Sequence, residues 1–157
     1  MIIKQIDRTD RYEVNSFIMK QWFSLQMVVH GEKIDLDNTE GWYALEENRI
    51  VGLITYRLFD MEMEILSLDS LHEKQGIGTA LLGKAVEQAK CIGVKRILLT
   101  TTNDNLAALR FYQKRGFDMI RLNLNAVERS RKIKPEIPSV STDGIPIKHE
   151  IDLEMIL

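Results

Sequence analysis

Residues 68–89, LDSLHEKQGIGTALLGKAVEQA, place two glycines between an apolar strand and the start of a helix, an arrangement suited to holding an anion. Gly76 and Gly78 have no Cβ, so their backbone can approach a ligand closely, and the N–H groups of residues 76 to 79 have no partner within the helix they open. The helix macrodipole adds partial positive charge at the same place, which favours a pyrophosphate without any lysine reaching it. A Rossmann turn needs Gly or Ala at position 81, where Leu81 stands, and a P-loop needs Gly-Lys-Ser/Thr after the second glycine. Neither design fits.

A second group of residues with chemical potential lies in NLAALRFYQKRGF, residues 105–117. Asn105 is suited to capping a helix, and its amide has donors and an acceptor for a polar ligand. Leu106, Leu109 and Phe111, with Ala107 and Ala108, make that helix apolar, Gly116 ends it, and Tyr112 carries a hydroxyl on it. Upstream, Glu62 and Glu64 alternate with Met61, Met63 and Ile65, so the two carboxylates are expected on one strand face with Leu66 and Leu68.

Both stretches resemble the GNAT superfamily of acyl-CoA-dependent N-acetyltransferases. Residues 66–89 resemble its Gln/Arg-x-x-Gly-x-Gly/Ala turn, with Glu73 replacing the first motif residue and Lys74 and Gln75 completing the turn. Residues 105–117 resemble its later helix and the Gly-Phe that follows. The resemblance implies a mixed α/β fold over residues 1–124. Its central sheet would be mostly antiparallel with one parallel βαβ unit, flanked by helices, and its splayed strands would hold CoA. It implies acetyl-CoA as cosubstrate and no metal. The diphosphate would rest on Glu73, Lys74, Gln75, Gly76, Ile77, Gly78 and Thr79, mainly through main-chain amides, and the pantetheine along Leu66 and Leu68 and on Asn105. Tyr112 would protonate the departing thiolate. An attacking amine, with an ordinary pKa of ~10.4, must first lose a proton, and the resemblance offers Glu64 or Glu62 as base, directly or through water. The implied reaction is direct attack by a primary amine, expected on a small molecule, in a ternary complex. A protein N-terminus or lysine as acceptor, or a non-catalytic acyl-CoA-binding module, are the alternatives.

Composition narrows the partners. The chain has 157 residues, 45% hydrophobic, which suits one domain across 1–157. Its 21 basic and 23 acidic residues leave a net charge of -2, too balanced for general attraction to nucleic acid or an anionic membrane. No apolar run reaches bilayer length and the N-terminus lacks a signal-peptide core, so a cytoplasmic location is expected. The single cysteine, Cys91, agrees with a reducing compartment and reads as a buried thiol, and His30, His72 and His149 have no metal-ligand spacing.

The positioning elements follow from pattern. Ile2, Ile3 and Ile6 suggest a first strand, and Asp10 with Glu13 a capping pair for a helix carrying Val14, Phe17, Ile18 and Trp22. Residues 25–29 read as a second helix and 32–41 as an acidic loop. WYALEE, RIVGLITYRL and MEMEILSL read as an antiparallel meander, and the turn, helix and KRILLTT as a βαβ crossover. FDMIRLNL and the alternating IKHEIDLEMIL are strands, the last a possible edge for a homodimer. Between them, residues 125–147 hold all three prolines and a basic cluster, Arg129, Arg131, Lys132 and Lys134, read either as a long hairpin excursion with a solvated basic face or as a lid or acceptor-binding loop.

Overall fold

Apolar segments separated by tight turns make the first part of the chain a meander. In the computed structural model, which describes residues 1–157, β1 (Ile2–Gln5) pairs antiparallel with β4 (Glu40–Glu46), β4 with β5 (Arg49–Phe59), and β5 with β6 (Glu62–Ser70). The hairpin turns place consecutive residues at positive φ, Glu47 and Asn48 at 48° and 61°, Asp60 and Met61 at 46° and 61°. That backbone twist matches the twist of the flanking strands. On this meander lie α1 (Arg11–Trp22), burying Val14, Phe17 and Ile18, and α2 (Ile77–Ile92), burying Ile77, Leu81, Leu82, Ala85 and Ala89. A Cβ at Gly52 of β5 would stand 2.5 Å from Ile77 Cγ2 and 3.0 Å from Leu81 Cδ1, so glycine is what lets α2 approach this closely.

These elements belong to one of two compact units, made of residues 1–26, 35–97 and 157; the other holds residues 27–34 and 98–156, and the boundary falls within β7 (Arg96–Thr102). The second unit contains α3 (Leu106–Gln113), β8 (Asp118–Asn123), α4 (Ala126–Ile133) and β9 (Glu150–Ile156), with most of the hairpin formed by β2 (Gln26–Val29) and β3 (Glu32–Asp35). Its strands run in the order β7-β9-β8. The fold is mixed α/β with a mostly antiparallel central sheet, helices flanking it, and one parallel pair on either side of the α2 crossover.

Several local expectations are corrected. The capping box is formed one turn earlier than expected, by Asp7 and Asp10 around a short 3-10 turn, while Asp10 makes no side-chain cap for α1. Residues 26–35 are a hairpin rather than a helix and a loop, turned by His30 and Gly31 at φ 50° and 69°. Residues 125–147 contain α4, and Arg131 is a staple rather than a solvated charge, donating to the carbonyls of Ile137, Pro138 and Ile147. The last strand is not an edge: β9 has a neighbour on each side, and β8 is the edge. Cys91 is exposed, being in the last turn of α2 away from its buried face.

Candidate active site

The turn between β6 and α2 is built from two left-handed residues, Lys74 at φ 62° and Gly76 at φ 80°, ψ 2°, the latter capping α2. The bond from Ala80 N–H to the Gly76 carbonyl, 2.9 Å, opens the helix, so the N–H groups of residues 76 to 79 precede its ladder. A Cβ built on Gly76 meets nothing within 4 Å, so glycine is required there by conformation, and the space over the turn is open. Glu73, Lys74, Gln75, Gly76 and Thr79 are exposed, Gly78 half-buried, and Ile77 is buried at 1%, rooting the turn in the core. The arrangement can receive an anion at a helix N-terminus with its walls already fixed.

On β6 the register decides which side chains share a face. Thr55 pairs with Ser67 but Tyr56 with Ile65, so Leu66 is the extra residue of a β-bulge. Before the bulge Glu62 and Glu64 point the same way as Arg57; beyond it that face passes to Ser67 and Asp69, and Leu68 turns to the other side. The contact of Thr55 Oγ1 with Ser67 Oγ, 2.6 Å, agrees. The expectation that Leu68 lies beside the two glutamates is therefore corrected, because one inserted residue inverts the alternation. Glu64, buried, holds Arg57 Nε at 2.6 Å, and Glu62 holds Arg96 Nε at 2.7 Å, so each expected base has an oxygen committed to a guanidinium.

The third acid on that face was not singled out from sequence. Asp69 accepts from Trp22 Nε1 at 2.9 Å, and burial pushes its carboxyl above the ordinary value of 3.8, the indole bond opposing. A raised carboxyl costs the fold nothing below the unfolded value, where both states are protonated, and costs it fully once pH exceeds the folded value. Asp69→Asn keeps an acceptor for the indole without the charge. It is expected to raise the urea midpoint at neutral pH, with the gain fading toward pH 3; a neutral-pH loss would reject this account.

In the second unit, Asn105 caps α3 as expected, its Oδ1 accepting from Ala108 N–H at 3.2 Å. Tyr112 is buried on α3, its ring packed edge-on between Phe111 and Phe117 with centroids 5.1 Å and 5.3 Å away. The unit also assembles a polar cluster with no sequence motif. His30 Nε2 lies 2.7 Å from Asp152 Oδ1, which also accepts from Thr100 Oγ1 at 2.7 Å, while Asn123 Nδ2 donates to Oδ2 at 3.1 Å. The buried Glu150 accepts from His30 N–H at 3.0 Å and from Ser130 Oγ at 3.3 Å. Burial tends to raise the Asp152 carboxyl, but bonds from His30, Thr100 and Asn123 outweigh it and hold it at about 2. The only sequence signals were a His-Gly turn and two acids alternating in the last strand.

A glycine turn at the head of α2, on a mostly antiparallel sheet with one parallel crossover, defines an acetyltransferase class of protein. A profile of the Acetyltransferase (GNAT) family matches residues 6–117, and the chain belongs to that family. It is 50% identical over 139 residues to "Uncharacterized protein YxbD" of Bacillus subtilis (strain 168), covering 88% of this chain and 87% of that one. It is 32% identical over 84 residues to N-acetyltransferase 8B of Homo sapiens, covering 48% and 37%. Its fold is similar to that of an IAA acetyltransferase from Bacillus cereus ATCC 14579, with TM-score 0.75, 21% identity and 99% of both chains covered. It is also similar to a GNAT acetyltransferase from Elizabethkingia anophelis with acetyl-CoA bound, with TM-score 0.71, 21% identity and 99% and 97% covered. No helix of the chain is long and apolar enough to cross a membrane.

Proposed function

We propose that this protein transfers an acetyl group from acetyl-CoA to a primary amine of a small molecule, by direct attack in a ternary complex, in the cytoplasm. The observation that carries the reading is the open left-handed turn at Lys74 to Gly76, rooted by buried Ile77, in a chain of the GNAT family. Main-chain amides of Gly76 to Thr79 hold the diphosphate, with Gln75 and Lys74 beside it. Glu73 places a carboxylate near the phosphates, and Lys74 offsets it.

The pantetheine runs along Leu66 and Leu68 and meets Asn105. A bulge leaves its extra residue out of the ladder, so the backbone at Leu66 is suited to polarising the thioester oxygen. Tyr112 gives its proton to the departing thiolate, and no covalent enzyme intermediate is required. Calorimetric titration with acetyl-CoA and a thiol-release assay over polyamines, aminoglycosides, small amines and peptides test the reading. Tight binding with turnover of a small amine supports it. Turnover of peptides alone moves the acceptor to a protein N-terminus or lysine, and binding without turnover makes the protein an acyl-CoA-sensing module.

A further inference from the structure

We infer that the outer edge of β8 docks against β8 of a second copy of this chain, antiparallel across a two-fold axis between Ile120 and Arg121. The inference is independent of the acetyl-transfer reading. β8 ends the strand order, with β9 on one side and no strand on the other, and no main-chain bond outside that ladder involves residues 118–124. An edge left open in this way is commonly shielded by lysine or proline. β8 has neither, and within its six residues Met119, Ile120 and Leu122 are 52%, 45% and 56% exposed. Large apolar side chains scattered singly are ordinary on a surface, but three together on one open edge mark an interaction site.

The register arranges them. Met119 pairs with Leu153 but Arg121 with Asp152, so Ile120 is the extra residue of a β-bulge. Residues three apart ordinarily point to opposite faces of a strand. Here the bulge brings Met119 and Leu122 to the face of Leu153 and Ile151, and Asp118 and Arg121 to the face of Glu154 and Asp152. The edge therefore has an apolar side and a charged side, and along the charged side an acid precedes a base. That order selects the occupant. An antiparallel second copy sets its Leu122 opposite Met119 and its Arg121 diagonal to Asp118, within reach of the long guanidinium, and the two-fold repeats both contacts. A parallel copy in register would oppose like charges. The bulge interrupts main-chain pairing near the axis, so side chains carry the contact.

The test is sedimentation equilibrium of the full chain at rising concentration, on samples whose circular dichroism matches wild type. Wild type is expected to pass from the mass of one chain to that of two. Asp118 and Arg121 are both exposed, so their replacement leaves the core untouched. Asp118→Arg leaves two basic residues on the charged side, and Arg121→Asp leaves two acidic ones. Each variant alone is expected to raise the dissociation constant by about tenfold or more, whereas an equimolar mixture of the two associates as wild type does, because each like-charged edge then meets its opposite. Leu122→Ser, on the apolar side, weakens association without changing charge. A wild-type chain that stays single at every concentration, its edge left to solvent or to another protein, overturns the inference. So does a dimer that neither the charge variants nor Leu122→Ser disturb, since it would use another surface, and so do charge variants that fail to associate when mixed.

Discussion

Gly52→Ala is expected to weaken acetyl-CoA binding by about tenfold, and Gly52→Val to abolish it, although residue 52 lies on β5 with no role in the chemistry. The new Cβ would stand 2.5 Å from Ile77 Cγ2 and 3.1 Å from the Asp69 carbonyl oxygen. Ile77 is fully buried and opens α2, so it can yield only by carrying the helix start with it, and the N–H groups proposed to hold the diphosphate move together. Overpacking of this kind costs about 1–3 kcal/mol, and 1.4 kcal/mol is a factor of ten in affinity. Ile77→Ala removes the methyl that is struck, so the double variant should recover part of the affinity that Gly52→Ala loses. Calorimetry on samples whose circular dichroism matches wild type makes the measurement. Wild-type affinity in Gly52→Ala would show that the helix start is not held by this contact.

That coupling illustrates which features are legible in a sequence. The glycine turn is legible because a residue without a Cβ suits Gly76 at φ 80°, and the meander because long strands such as β5 are sustained runs of apolar and β-branched residues bounded by turn residues. The β2–β3 hairpin is not, since two strands of four residues are too short to show a period and Met27 to Val29 fit a helix equally well. The bulge at Leu66 carries no glycine to mark it, yet it decides that Leu68 leaves the face of Glu62 and Glu64. Their ion pairs depend on register, with partners seven and 34 positions away in the chain. Helix α4 is concealed by a charged segment whose apolar residues, Ala126, Val127 and Ile133, are few. The His30 cluster joins residues up to 122 positions apart, a proximity only the assembled β9 and hairpin create.

Tyr112→Phe removes one oxygen and keeps the ring that Phe111 and Phe117 grip. If the hydroxyl protonates the thiolate, turnover at neutral pH falls by about 100-fold while acetyl-CoA affinity stays within about twofold of wild type. The pH dependence separates this from a packing effect. A thiol with a pKa near ~8.5 needs a proton to leave well only while the medium favours the thiol, so the gap between variant and wild type should narrow as pH rises past that value. Steady-state thiol release from pH 6 to 10, with acetyl-CoA affinity measured at each end, gives both quantities. A rate deficit equal at all pH values would mean that the hydroxyl positions the thioester, and an unchanged rate throughout would remove Tyr112 from the mechanism. The proton would then have to reach sulfur from water.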